Sequence, residues 1–413
     1  MIPVAKPYLN DDEIAAVKEV IASGWVTQGP KVAEFEEAFK EFTGSPYACA
    51  VSNCTSALHL ALQVMGVHPG DVVVTVSHSF IATANAVRMC SAEPVFVDID
   101  PATFNMSVEK LSAFLQQECE QQSDGLYYKN VFALSSPQTP FNHIEQQLGR
   151  VSAILVVHQM GLPCDLAAIL PIAKKYGLPV IEDAACAIGS EISLDGGETF
   201  EKIGRPHGDI ACFSFHPRKV MTTGEGGMIT SRDAVIDRQL KRLRHQGMEV
   251  SDLERHQSKT LQFESYSTTA YNYRMTDIQA AMGIEQLKKL PQMVVRRREI
   301  VAEYCRRLGD IKHIQCAVEP HYGRSNWQSF TIRILPTSPR SRDEVMQFLM
   351  ESDIATRRGI MNSHQEEPYR NEMWTLPASE EARDNVIILP LYYKLSDKGL
   401  DFIVEQLKAA LGE

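Results

Sequence analysis

Apolar positions recur along this chain at two different periods. Asn10 is followed three residues later by Glu13, a variant of the capping box, and Ile14, Val17 and Ile21 then return at helical spacing. Pro30, tolerated in a first turn, opens a second predicted helix through Val32, Phe35 and Phe39 to Gly44. Beyond it the pattern changes to short, mostly apolar runs, Asp71–Val76, Pro94–Val97, Ser152–Val157 and Pro179–Ile181. These alternate with helical stretches such as Ser56–Met65 and Leu166–Tyr176. Continuously apolar strands separated by helices predict a parallel sheet covered on both faces. Ligands on such sheets gather at the carboxyl ends of the strands.

From Thr276 a long helical pattern (DIQAAMGIEQLKKL) leads to Pro291, and another helix then carries Arg296, Arg297 and Arg298. That basic triplet reads as a solvated helix face rather than a binding patch. Ser329–Ile334 and Asn385–Leu389 read as strands, with helices at Ser341–Glu351 and Ser396–Leu411. The expected organisation is an N-terminal arm and large domain over residues 1–275, then a linking helix and a smaller α+β domain over 276–413. Residues 116–150 are polar, Gln-rich and weakly periodic, contain SSPQTP, and read as a surface excursion.

At 413 residues the chain has room for two or three domains, and 44% hydrophobic content excludes wholesale disorder. No apolar run approaches the ~18–20 residues of a membrane span, and MIPVAKPYLNDDE does not read as a signal peptide. Lys+Arg total 41 against Asp+Glu 52, and a net charge of −11 argues against a nucleic-acid partner. Nine cysteines, without a CxxC pair or metal-like His spacing, fit free thiols in a reducing cytosol rather than disulfides or a metal site.

Three stretches carry chemistry. In GDIACFSFHPRKVMTTGEGGMIT a short strand, Cys212–Phe215, runs into a polar loop with Lys219, and Gly224, Gly226 and Gly227 follow. Glycines let a backbone pass close to a bound group, and a partly deprotonated lysine forms Schiff bases with carbonyl compounds. In LPVIEDAACAIG, Asp183 falls at a strand's carboxyl end, where it could pair with a protonated pyridine nitrogen or simply cap a helix. In SNCTSALHLAL, the hydroxyls and amide of Ser52, Asn53, Thr55 and Ser56 meet the start of an apolar helix, a natural seat for a phosphate. An aldehyde, a pyridine nitrogen and a phosphate together describe pyridoxal 5′-phosphate (PLP).

With IPVAKPYLNDDEIAAVKEVIASGWVTQGPKVAEFEEAF, HSFIATANAV, PVFVDIDPATFN, VVHQMGLPCDLAAI, YNYRMTDIQAAMGIEQL and ILPLYYKLSD in order, these stretches resemble the DegT/DnrJ/EryC1/StrS sugar aminotransferase family over nearly the whole chain. The resemblance implies the α/β fold of the fold-type I PLP enzymes, with a mostly parallel central sheet between helices. It implies Lys219 as the Schiff-base lysine that also moves protons, and Asp183 as partner of the pyridine nitrogen. Phe80 matches the aromatic residue stacked on the ring, and Thr55, Ser56 and Ser214 match phosphate contacts. Asn272, in YNYR, matches a residue that reaches the cofactor of a neighbouring subunit, which implies a homodimer with shared active sites. Two departures stand out: Cys186 replaces the family's common Gln or His at the cofactor's phenolic oxygen, and Cys54 replaces a frequent Gly before Thr55.

The implied activity is transfer of an amino group, with L-glutamate as donor, to a nucleotide-linked keto-sugar of the 4-keto-6-deoxy type. Arg218, Arg357 and Arg358 are the candidates for its diphosphate. Arg218 and partial burial are expected to lower the Lys219 pKa toward the neutral amine. Alternatives are a non-nucleotide ketone such as a cyclitol, a PLP-dependent sugar dehydratase, or a non-catalytic regulatory paralogue.

Overall fold

The computed structural model describes residues 1–134, 136, 138–145, 147–249 and 263–413. Within the segment 116–150, Ser135, Pro137 and Gln146 lie outside the described residues.

Seven strands build the central sheet, numbered here along the chain. They are β1 (Tyr47–Val51), β2 (Val72–Val76), β3 (Glu93–Val97), β4 (Val151–Val157), β5 (Val180–Asp183), β6 (Ile210–Ser214) and β7 (Gly227–Ser231). Their order is β1-β7-β6-β5-β4-β2-β3. Strands β2 to β6 run parallel, and β7 is antiparallel to both β1 and β6. This is the predicted mostly parallel α/β architecture. The pairings Val157↔Asp183 and Cys212↔Asp183 align the carboxyl ends of β4, β5 and β6 along one edge.

Three N-terminal helices matter for the site: α1 (Asp11–Ser23), α2 (Pro30–Thr43) and α3 (Cys54–Val64). Helix α2 drives Phe35 and Phe39 onto Phe215 and Phe213, at ring separations of 5.4 and 5.1 Å. A side chain at Gly283 would meet the Phe35 ring at 2.7 Å, so only glycine lets the facing helix approach this closely. Ala50 lies on edge strand β1; its N–H donates to Glu36 Oε1 at 2.9 Å, and its carbonyl accepts from Arg244 Nη1 at 2.7 Å. Arg244 also bonds Glu36, so a buried ion pair covers what would be an open sheet edge.

A four-stranded sheet follows, with Phe330–Ile334 between Ile314–Cys316 and Val386–Leu389, and Arg357–Arg358 at the far edge. One helix, Asp277–Leu308, connects the two sheets without the break expected at Pro291. Leu287, Leu290, Met293 and Val294 are buried around that proline, and their packing holds the helix through the missing N–H. Near its end Tyr304 stacks on Phe330 at 4.9 Å and donates to the Pro390 carbonyl at 2.9 Å.

Two further expectations are corrected. Arg297 is buried, its Nε and Nη2 donating to the carbonyls of Trp327 and Gln328, and Arg298 Nε donates to Ser325 O. Arg297 and Arg298 thus clamp the loop before Phe330–Ile334 instead of facing solvent, while Arg296 bonds Leu395 O and the acids Glu299 and Asp397. The 116–150 segment is not a simple excursion either: Cys119–Gln121 pairs with Leu126–Tyr128. Leu126, Tyr128, Val131, Leu134 and Phe141 enter the core shared with the central strands. Its apolar positions lack periodicity because irregular backbone carries them. Among the described residues no helix is long and apolar enough to cross a membrane.

Helix α2 begins at Gly29–Pro30, with no side-chain cap of its own. Asp277, remote in sequence, supplies one: Oδ1 accepts from Gly29 N at 2.8 Å and Val32 N at 3.0 Å, and Oδ2 from Lys31 N at 3.0 Å. Replacing Asp277 by Ala strands these donors and is expected to cost about 2–4 kcal/mol in urea denaturation, a loss larger than that of an ordinary surface cap. An unchanged midpoint would show that α2 is held by its Phe35 and Phe39 contacts alone.

Candidate active site

Adjacent residues on a strand point to opposite faces, and β5 ends in two acids, Glu182 and Asp183. Glu182 is fully supplied with donors. Its Oε1 accepts from Gly208 N at 2.6 Å, and its Oε2 lies 3.0 Å from His158 Nε2. His158 Nδ1 accepts from Cys164 N at 3.0 Å, which places the ring proton on Nε2. Burial alone would raise the Glu182 pKa, but these donors bring the balance below the ordinary value.

Asp183 is left short. Oδ2 accepts from Thr83 Oγ1 at 2.8 Å and Oδ1 from Ala185 N at 3.1 Å. Burial outweighs these bonds and the nearby Lys219 and His158, so its pKa is raised. A buried carboxylate without an ion-paired cation is a position prepared for one.

Lys219 sits in the crossover from β6 to β7, a chain of turns closed by hydroxyls. Thr222 Oγ1 donates to Phe215 O at 2.7 Å and Thr223 Oγ1 to Glu225 O at 2.7 Å. Lys219 Nζ donates to Cys186 Sγ at 3.1 Å. Burial is the largest influence on the Lys219 pKa and pulls it down, but Cys186, Cys54 and Asp183 together carry it above the ordinary value. This corrects the expected lowering, to which Arg218 was to contribute; the facing groups are thiols and an acid rather than that arginine.

At the third element, Asn53 caps α3 by accepting from Ser56 N at 2.8 Å, and Ser52 Oγ lies 3.2 Å from Ser56 Oγ. The Thr55 hydroxyl has no partner among the described residues. Gly227, paired with both Val51 and Ser214, lies against this turn; a Cβ there would meet Asn53 C at 2.6 Å and Cys54 N at 2.9 Å. The glycine therefore admits the start of α3 to the sheet edge, rather than a bound group directly. Ser214, at the end of β6, accepts from His216 N at 3.4 Å.

Phe80 breaks the habit of apolar runs: its side chain is 62% exposed, one turn before the Thr83 that holds Asp183. Asn272 stands apart. It is exposed, and its Oδ1 accepts from Arg274 Nε at 3.0 Å. Arg357 and Arg358, on their short edge strand, are exposed. Arg357 has its pKa lowered by burial and by repulsion from Arg218 and Arg358, so the chain gathers these three cations at one place. None of them has an acidic partner among the described residues.

Sequence reading missed Thr83, and also Asn326 and Gln328. Asn326 Nδ2 donates to Cys186 O and Ile188 O, both at 2.8 Å, and Gln328 Nε2 donates to Arg218 O at 2.6 Å. They fix the Cys186 carbonyl and the Arg218 carbonyl just before Lys219 from more than a hundred residues away, and no local motif marks them. The assembled donor set fits PLP: an amine for its aldehyde, a buried carboxylate for its ring nitrogen, and unpaired donors at a helix start for its phosphate. Among the described residues no group of three or more His, Cys, Asp and Glu could hold a metal ion.

The raised Asp183 pKa has a measurable sign. The native cofactor-free chain holds this proton more tightly than the unfolded chain does. The group's contribution to stability is therefore greatest at acid pH and declines as pH rises from the ordinary 3.8 through the native value. In Asp183→Asn this decline is expected to vanish from a pH series of urea midpoints; parallel profiles for the two proteins would refute it.

Comparison with known proteins identifies the family. The DegT/DnrJ/EryC1/StrS aminotransferase family matches residues 7–408. An uncharacterized protein of Methanocaldococcus jannaschii is 31% identical over 417 residues, covering 100% of this chain and 98% of that relative. The aminotransferase TlmJ from Streptoalloteichus hindustanus is 31% identical with a TM-score of 0.82, covering 100% of this chain and 99% of its own. Spr1654 from Streptococcus pneumoniae, in its PMP form, is 26% identical with a TM-score of 0.83, covering 100% and 99%; its PLP form has also been solved. The chain belongs to the DegT/DnrJ/EryC1/StrS family and is a PLP-dependent aminotransferase of the sugar aminotransferase group.

Proposed function

We propose that this aminotransferase moves an amino group from L-glutamate to a nucleotide-linked keto-sugar of the 4-keto-6-deoxy type. The observation that carries the reading is the convergence of Lys219, Cys186 and Asp183 at one strand edge beside the start of α3. The unpaired cations Arg218, Arg357 and Arg358 support a phosphate-bearing acceptor. The exposed Asn272 supports a homodimer in which each chain completes the other's site.

When bound, PLP supplies the carbonyl that accepts nitrogen and a ring that spreads the resulting negative charge. Asp183 would offer its carboxylate to the ring nitrogen and keep that nitrogen charged. Thr83 Oγ1 and Ala185 N–H orient the carboxylate. Lys219 Nζ, once free, takes the α-proton from the donor and returns a proton at the acceptor carbon. It must be neutral to do so. Burial favours that state, whereas Cys186, Cys54 and Asp183 oppose it. Phe80 would cover one ring face, and Thr55, Ser56 and Ser214 would hold the phosphate with hydroxyls and helix-end N–H groups.

Incubation with L-glutamate and a panel of nucleotide-linked 3-keto and 4-keto sugars, read by mass spectrometry, is expected to yield an amino sugar from the 4-keto members. Turnover of free ketones only would overturn the nucleotide assignment. In Lys219→Ala the visible absorbance band of the loaded protein is expected to disappear, and turnover to fall by at least about a thousandfold. A retained band in that variant would place the covalent attachment elsewhere.

A further inference from the structure

Six of the nine cysteines are buried, and burial pushes the thiols of Cys49, Cys90 and Cys119 up to about 12. Cys186, Cys305 and Cys316 are half-buried. Cys305, near the end of the long helix, and Cys316, on an edge strand of the second sheet, act on one another's thiols. Cys186 instead faces an amine: Lys219 Nζ donates to its Sγ at 3.1 Å. A thiol open to small molecules, with a nucleophile already in contact, is where oxidation becomes selective.

Both partners are held from behind. Asn326 Nδ2 donates to Cys186 O at 2.8 Å and Gln328 Nε2 to Arg218 O at 2.6 Å, so one loop fixes the backbone under the thiol and beside the amine. Lys219 N donates to His216 O at 2.8 Å, closing the turn that carries the amine. The contact is therefore set by the fold rather than by a chance meeting of two side chains. A cleft of about 10 Å³, room for one water-sized molecule, reaches Lys219 between the N-terminal arm and the long helix and gives a small oxidant a path.

We propose that Cys186 and Lys219 form a peroxide-sensitive cross-linking site, in which an S–N bond closes between Sγ and Nζ whenever the amine is free of cofactor. First, Sγ attacks one peroxide oxygen, the O–O bond breaks, and the other oxygen leaves as water. The sulfur, oxidised by two electrons, is then a sulfenic acid. Next, the Nζ lone pair attacks Sγ, the S–OH bond breaks, and the hydroxide leaves as water with a proton from nitrogen. One thiol, one amine and one peroxide thus give one S–N bond and two waters. Burial pulls the Lys219 pKa down, and Cys186 is foremost among the groups that oppose it, ahead of Cys54 and Asp183. Conversion of the thiol to S–OH removes that opposition, so the first step frees the lone pair that the second step needs. Two molecules of a reducing thiol reverse the link, restoring thiol and amine and leaving one disulfide. The closed form cannot make a Schiff base. A Gln or His, which the family commonly has where this chain has Cys186, offers no sulfur to link.

The full-length protein, stripped of cofactor or loaded with PLP, is treated with hydrogen peroxide and read by intact mass and peptide mapping. The stripped protein is expected to lose two hydrogens and to yield a peptide joining Cys186 to Lys219. Its capacity to form the visible absorbance band when PLP is added back should fall in proportion, and dithiothreitol should restore it. Loading should slow the cross-link at least about tenfold, because Nζ is then engaged. In Cys186→Ser, peroxide should leave band formation as it is in the untreated variant. In Lys219→Ala the sulfur should instead take up further oxygen. The mass of the unmodified chain carries the test even if either variant misfolds. Oxygen added at Cys186 without a link to Lys219, a disulfide from Cys186 to Cys54, two hydrogens lost only between Cys305 and Cys316, or equal cross-linking of the loaded protein would each overturn the proposal. No acceptor is present, so failure here leaves the sugar assignment untouched, and failure of that assignment leaves this site intact.

Discussion

A carboxylate buried at the end of β5 without an ion-paired cation sets the terms for the rest of the site. Glu182, its neighbour, shows what the fold does when an acid is structural: a histidine N–H and a backbone N–H are provided, and the charge is stabilised in place. Asp183 receives a hydroxyl and one amide, and burial prevails. The same strand thus holds one settled acid and one unsettled one, facing opposite sides of the sheet. The unsettled acid lies near enough to Lys219 for the amine to act on its charge, and a buried carboxylate left in that state is suited to a cationic partner.

The long helix Asp277–Leu308 ties these parts together. Asp277 starts α2; Gln286 bonds both the Tyr8 carbonyl and Thr222 N, in the loop after Lys219; and Arg297 holds the loop before Phe330–Ile334. One rigid element therefore sets the arm, the lysine loop and the second sheet relative to one another. Its polar residues are buried because they serve as partners for backbone groups that irregular segments leave unpaired. Cys186 is the site's unusual member. A thiol is a weaker hydrogen-bonding group than an amide or an imidazole, yet after burial it is the largest influence on the lysine amine, ahead of Cys54 and Asp183.

The acidic net charge of −11 says little about the active site. In the proposed reading the phosphate is held at the start of α3 by hydroxyls and helix-end N–H groups, which are absent from any charge count. The cations grouped at one place are few and local, Arg218 in the lysine loop with Arg357 and Arg358 on an edge strand.

Much of this was legible along the chain wherever an interaction is local. The apolar runs of β2 to β6, the Asn10–Glu13 and Asn53 caps, Asp183 at a strand end and Lys219 before a glycine-rich turn depend on neighbours within a few residues. Periodicity and turn chemistry therefore determined the α/β fold class and the order of its elements. Only the tertiary structure decided which polar groups meet. Asp277 capping a helix 245 or more residues away, Thr83 beneath Asp183, Asn326 on Cys186 and Arg297 on the Trp327 and Gln328 carbonyls join segments with no shared period. The persistence of the long helix through Pro291 and the burial of the 116–150 segment follow the same rule. Packing against distant surfaces outweighed the local signal, because burial is a property of the assembled core and not of the residue that enters it.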